Sequence, residues 1–174
     1  MTIALTGTPG VGKTTVSKVL EREGYDILDL NDFIKEKDLR EDKDLDRDTF
    51  EVDIECLKET YHSESLDLDI IEGHLAHHLS LSPTVVLRCS PSELEKRMKN
   101  KGWNEDKIKE NLEAEMLDTI LIEALEVCEN VFEIDTTDKD PECVASAIEN
   151  IIDGEVGKYE PGSVDWSEEF LLRQ

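Results

Sequence analysis

Basic residues are scarce in this chain. Lys plus Arg number 19 against 43 Asp plus Glu in 174 residues, a formal charge of −24. A general binder of phosphate backbones carries a basic stripe, so stand-alone nucleic acid binding is not expected. Long apolar runs are missing too. No window approaches the ~18 consecutive apolar residues of a membrane span, and the opening MTIALTGTPG lacks the charged, apolar and cleavage regions of a secretory leader. A cytoplasmic protein with no membrane partner is therefore expected. Cysteine is limited to Cys56, Cys89, Cys128 and Cys143, widely spaced and without a CxxC pair. That spacing predicts reduced, mostly buried thiols. His74, His77 and His78 have no Cys or carboxylate at ligand spacing beside them, which argues against a metal site. The acidic excess fits salt adaptation, a surface for a basic partner or plain solubility, and composition alone does not choose among these.

What is present reads as one domain, long enough to bury roughly 70% of its unfolded surface. Thr2 to Thr6 is a short apolar strand that breaks at Gly7, and a helix-compatible stretch follows from Lys13 to about Glu23. Tyr25–Leu30 predicts a second strand, with Asn31 and Asp32 capping a short helix over 33–37. The charge-dense residues 38–49 predict a mobile surface segment. A helix over 50–61, a strand over 66–71 ending at Glu72-Gly73, a strand over 84–87 and a helix over 92–101 come next. Ile108, Leu112, Met116, Ile120, Ala124 and Cys128 recur every four residues, predicting one long helix over 105–128. A strand over 131–134 and a helix from Pro141 complete the body. The alternation implies an α/β fold with a parallel sheet covered on both faces. The tail after Gly154 loses periodicity but keeps Trp166, Phe170 and Leu171 to dock on the body or on a partner.

The strongest chemical signal is Gly7-Thr8-Pro9-Gly10-Val11-Gly12-Lys13-Thr14, which fits G-x-x-x-x-G-K-[ST] between a predicted strand and helix. Such a loop wraps backbone N–H groups around a β-phosphate, and the following helix points its positive end at the same anion. Lys13 would reach the β- and γ-phosphates, and the Thr14 hydroxyl would ligate Mg²⁺. Global charge opposes binding of a polyanion, but beyond a Debye length of ~8 Å it is screened, whereas loop contacts act at ~3 Å. The local field wins.

No N-K-x-D base-reading motif and no D-x-x-G switch occurs, so a small kinase fits better than a GTPase switch. Phosphoryl transfer then asks for an acid near Mg²⁺, an acceptor pocket and a basic lid. Glu72, at a strand's carboxyl end, is the candidate acid and second metal ligand, with His74 two residues on. Asp29, Asn31, Asp32 and Lys35 are candidates for the acceptor pocket. Arg97, Lys99, Lys101, Lys107 and Lys109 surround Gly102-Trp103-Asn104 as a lid-like basic patch, and Arg88 is a weaker phosphate candidate.

With GTPGVGKTT at 7–15, LNDFIKE at 30–36, EGH at 72–74, VVLR at 85–88 and KRMKNKGWNEDKIKENLEAE at 96–115, the chain resembles the sixth isoenzyme type of adenylate kinase over residues 1 to about 152. Its E-G-H form is similar to the archaeal branch. The resemblance implies a P-loop three-layer α/β/α sandwich around a five-stranded parallel sheet. It implies a monophosphate-binding insertion at about 30–53, a lid at about 100–110 and a C-terminal tail over 153–174. It further implies ATP binding by Gly7, Gly10, Val11, Gly12, Lys13, Thr14, Thr15 and Lys101, and monophosphate binding by Asn31, Asp32 and Lys35. Catalytic work would fall to Lys13, Glu72 and His74, with Mg²⁺ on Thr14 and Glu72. Adenylate kinase and ATPase activity and a basic small-subunit ribosomal protein as partner are implied in the same way.

Overall fold

A computed structural model describes residues 1–44 and 49–172. The strands β1 (Ile3–Thr6), β2 (Ile27–Asp29), β5 (Ile70–Glu72), β6 (Thr84–Arg88) and β7 (Val131–Asp135) form one parallel sheet in the order β2-β5-β1-β6-β7. Register is continuous across it: Leu5 pairs with Glu72 on one side and Val85 on the other. Successive residues along each strand face opposite sides of the sheet, and both sides are covered. Ile3, Leu5, Ile70, Val85 and Leu87 join a core with α1 (Lys13–Glu23), α4 (Pro91–Asn100), α5 (Glu105–Met116) and α7 (Pro141–Ile152). Ala4 and Ile71 face the other way, against α2 (Leu30–Glu36), α3 (Ile54–Glu64) and a 3-10 turn over Ala76–Leu79. Val86 packs on α6 (Thr119–Val127). Strands covered on both faces read as unbroken apolar runs, which is the pattern of the sequence.

Five expectations need correction. Residues Arg40–Asp44 and Thr49–Val52 are strands β3 and β4 of an antiparallel pair, with Arg40 opposite Val52. Charge density argues against burial but not against backbone pairing, because a ribbon satisfies its own N–H and C=O groups. The rest of the predicted mobile segment, 45–48, lies outside the described residues. Accordingly α3 starts at Ile54 rather than 50, where the Asp53 carboxylate accepts from the amides of Glu55 and Cys56. The cap of α2 is Asp29, which accepts from the Asn31 and Asp32 amides, so Asn31 and Asp32 are capped residues and not the cap.

The fourth correction concerns the long helix. It breaks between α5 and α6 at Asp118, whose φ of 54° is left-handed. Ile108 and Leu112 belong to the core on one face of the sheet, Leu121 and Ala124 to the cluster against Val86 on the other. A four-residue repeat reports an apolar stripe but not which layer it meets, and a chain that changes layer cannot stay one straight helix. Thiol burial also differs from expectation: Cys89 is buried and Cys128 partly so, whereas Cys56 and Cys143 are exposed, all four unpaired.

The tail docks on the body. The amides of Gly162, Ser163 and Val164 donate to Glu133 Oε2 at 2.9, 3.1 and 3.3 Å, and Trp166 Nε1 donates to Glu115 Oε1 at 3.2 Å. A short helix, α8 (Ser167–Leu172), closes the described chain, and Glu169 accepts from Ser92. Among the described residues no helix is long and apolar enough to cross a membrane.

Candidate functional site

The loop between β1 and α1 fits the geometry its sequence demands. Gly7 has φ +138°, and a Cβ there would stand 2.3 Å from the Leu87 carbonyl oxygen, so neither the backbone nor the space admits a side chain. The loop is tied down from several sides. Thr136 Oγ1 lies 2.8 Å from the Val11 carbonyl, and Arg97 Nη1 donates to the same carbonyl at 3.0 Å. Thr8 Oγ1 donates to Glu115 Oε2 at 2.5 Å, in a buried contact. Val11 contributes main chain only, since its side chain is fully buried in the core.

Lys13, the first residue of α1, folds back over this loop. Its ammonium donates to the carbonyls of Gly7 at 2.8 Å and Thr8 at 3.3 Å. Burial lowers its pKa to about 8, and the negative charges of Glu72 and Glu115 limit the fall. The next residue, Thr14, donates to Glu72 Oε1 at 2.9 Å. Glu72 ends β5, which lies beside the central strand β1, and is only 3% exposed. Burial, then the Asp29 charge, raise its pKa, while Lys13 and the Thr14 hydroxyl pull it back. A hydroxyl and a carboxylate at this spacing are hard oxygen donors, the kind Mg²⁺ prefers, and they fit that ion. Parallel register places Asp29 beside Glu72, so two carboxylates and one ammonium meet at the carboxyl ends of β1, β2 and β5.

His74 follows two residues after Glu72. Burial, then Lys13 and His78, hold its pKa down to about 4, so the ring is neutral at physiological pH. Between them, Gly73 has a packing role: a Cβ there would sit 2.9 Å from the Leu30 Cβ, so the E-G-H spacing also reflects close approach of α2. Asn31, Asp32 and Lys35 lie exposed on α2, beyond the end of β2.

A cavity of about 410 Å³ opens beside the loop, walled by Gly12, Thr15, Arg97, Lys101, Thr136 and Lys139 among others. Sequence reading missed Thr136 and Lys139. The signal available was their position just past the carboxyl end of a predicted strand. Arg97, a lid cation by its place in the sequence, also donates through its guanidinium to the carbonyls of Thr136 and Thr137 at 3.0 Å each. Lys101 and Lys107 stand 6.0 and 4.7 Å from the Trp103 ring centroid, whereas Lys99 and Lys109 pair with Glu95 and Glu113 along their own helices.

Arg88 is not a phosphate ligand. It is 2% exposed and spends its donors on Glu115 (2.8 Å), Glu133 (2.7 Å) and Asp118. Leaving the sheet toward the crevice in sequence, it turns into a buried carboxylate cluster because three acids from α5, the α5–α6 turn and β7 converge there.

Residues 3–118 match the AAA domain family model. A relative from Methanosarcina barkeri named "Putative adenylate kinase" is 45% identical over 95% of this chain and 97% of its own. One of the same name from Thermococcus kodakarensis is 45% identical over 97% and 94%. A solved structure of shikimate kinase from Bacteroides thetaiotaomicron superposes with a TM-score of 0.60, covering 88% of this chain and 98% of that one. At 17% identity it shows the fold alone, an α/β sandwich of the P-loop kinase kind. The matched family model and relatives alike along nearly their whole length place the chain in the AAA domain family, among the archaeal proteins named "Putative adenylate kinase".

Proposed function

We propose that this chain is a cytoplasmic, Mg²⁺-dependent nucleoside monophosphate kinase that moves the γ-phosphoryl of ATP to AMP and hydrolyses ATP more slowly. The observation that carries the reading is the convergence of Lys13, Thr14 and Glu72 on one phosphate-binding loop at the carboxyl ends of the central strands. The loop amides and Lys13 hold the polyphosphate and meet the charge that spreads over the transferred group. Thr14 and Glu72 would hold Mg²⁺, which would neutralise phosphate charge and help align the phosphates. His74, neutral at working pH, orients the acceptor or a water by hydrogen bonding. The cavity walled by Arg97 and Thr136 receives the nucleoside of ATP. Lys101 and Lys107, flanking Trp103 in the 100–110 lid, close over it and exclude water. Asn31, Asp32 and Lys35, with the 30–53 insertion, take the monophosphate.

The assay is ADP formation from ATP with and without AMP, CMP, GMP or UMP. AMP is expected to raise the rate well above the ATP-only background. A rate indifferent to every acceptor overturns the kinase reading.

Lys13 also sets a pH dependence. Only the protonated amine grips phosphate, and the free protein holds its pKa near 8. Bound phosphate raises that pKa, so binding takes up a proton once the pH passes 8. The Kd for ATP is expected to rise about tenfold per pH unit above 8, until the pKa of the complex is reached. Titration calorimetry from pH 7 to 9.5 measures it. Lys13→Arg, always charged, is expected to flatten the profile.

The surface of −24 supports a second role on the same site, in which ATP turnover releases a basic small-subunit ribosomal protein during subunit maturation. A client retained at low salt, lost at high salt and discharged by ATP supports it. Failure of purified basic ribosomal proteins to bind overturns it.

A further inference from the structure

The kinase chemistry uses His74 at most, yet two more histidines follow on the 3-10 turn Ala76–Leu79. No carboxylate stands at ligand spacing beside them in sequence. The fold brings one from 46 positions away, because α6 packs over this turn and presents Glu123. His77 is fully buried. Its Nδ1 lies 3.1 Å from Thr6 Oγ1, and the Thr6 hydroxyl donates to the His74 carbonyl at 3.2 Å. A hydroxyl has one proton. When that proton points to the carbonyl, Nδ1–H donates to the Thr6 oxygen and Nε2 carries the ring's lone pair; when it points to Nδ1, Nε2 carries the hydrogen and donates to Glu123.

In both tautomers Nε2 lies 3.2 Å from Glu123 Oε2. His78 lies against His77 with ring centroids 4.0 Å apart and the ring planes tilted by 40°. One ligand atom from each of His77, His78 and Glu123 falls within 4.8 Å of the others.

We propose that His77 Nε2, His78 and Glu123 form a binding site for a divalent metal of the zinc class, separate from the nucleotide's Mg²⁺. Three geometric facts carry this. The Nε2 to Oε2 distance of 3.2 Å is close to the edge, about 3.3 Å, of a tetrahedron whose metal–ligand bonds are ~2.0–2.1 Å. Thr6 Oγ1, 3.1 Å from Nδ1, is placed to accept the outer hydrogen bond that a metal-bound histidine makes through its other ring nitrogen. Glu123 and His78 are partly exposed, which leaves an entry path and a position for water. His78 must turn its ring to shorten the remaining distances. Two imidazoles and one carboxylate suit Zn²⁺, Co²⁺ or Ni²⁺, whereas Mg²⁺ prefers oxygen alone. A bound metal would clamp α6 to the turn that follows β5.

The experiment is titration of the full-length, chelator-stripped protein with Co²⁺ in excess Mg²⁺, followed by visible absorption and then by addition of Zn²⁺. One equivalent of Co²⁺ is expected, with the strong visible bands of four-coordinate cobalt, bleached by Zn²⁺. Zn²⁺ is also expected to raise the melting temperature. His78→Ala and Glu123→Gln, both at partly exposed positions, are each expected to weaken binding at least about tenfold and to abolish the thermal shift. Cys56→Ser with Cys143→Ser is expected to leave binding unchanged. Absence of the bands, or equal affinity in either ligand variant, overturns the proposal. Loss of binding on removing the exposed thiols also overturns it, because the metal would then sit on cysteine.

Discussion

Lys13→Ala is expected to reduce ATP-dependent ADP formation by about a thousandfold while the protein melts no lower than its parent. The activity loss follows from what the ammonium does. Charge-assisted hydrogen bonds contribute about 1.5–3 kcal/mol each, so two directed at the transferring phosphates give about 3–6 kcal/mol, or roughly 10²–10⁴ in rate. The stability half follows from burial. Lys13 is 8% exposed, and its pKa falls from 10.5 to about 8 because dehydration outweighs the attraction of Glu72 and Glu115. A lysine whose charged form is disfavoured by folding destabilises the native state at neutral pH, so removing it relieves that cost, against the loss of hydrogen bonds to Gly7 and Thr8. Initial rates and thermal melts on the same preparation check both halves. A variant within tenfold of the parent rate would show that phosphate is gripped elsewhere.

Arg88→Ala is expected to be the most damaging single substitution away from the loop. It leaves Glu115 and Glu133, 2% exposed each, as buried carboxylates without their cation, and frees Asp118. Removing one member of a buried ionic cluster costs about 3–5 kcal/mol. For a chain of this length, ~2–4 °C per kcal/mol makes that a fall of about 6–20 °C in melting temperature. The damage should reach the phosphate loop, because Glu115 also holds Thr8, and the tail, because Glu115 and Glu133 hold Trp166 and the amides of residues 162–164. Combining Arg88→Met with Glu133→Gln should recover part of the loss, since the second change removes a stranded charge rather than adding one. Thermal melts decide it, and a fall under 2 °C in Arg88→Ala would mean that the cluster is hydrated.

Much of the layout is legible in the chain because it depends on neighbours in sequence. GTPGVGKT between an apolar strand and a helix fixes its own conformation, since Gly7 can take φ +138° and pass under Leu87 where no other residue fits. Unbroken apolar runs in β1 and β6 announce a sheet covered on both faces. Arg88 shows the limit. In sequence it is a cation at a strand end facing a phosphate site, and nothing nearby says that Glu115, Asp118 and Glu133 will surround it. The 105–128 repeat fails for a related reason: periodicity defines an apolar stripe, but the break at Asp118 comes from the change of layer.

By itself, then, the sequence determined the phosphate loop, the alternation of strands and helices, and the placement of Glu72 and His74 after an apolar strand, because each is set by local backbone preference and hydrophobic period. Only the tertiary structure decided which carboxylates meet Arg88, that Thr8 leans on Glu115, that Thr136 and Lys139 wall a cavity beside the loop, and that Glu123 faces His77. Those contacts join residues tens of positions apart, and their partners are selected by how layers stack, a choice that no short window of sequence encodes.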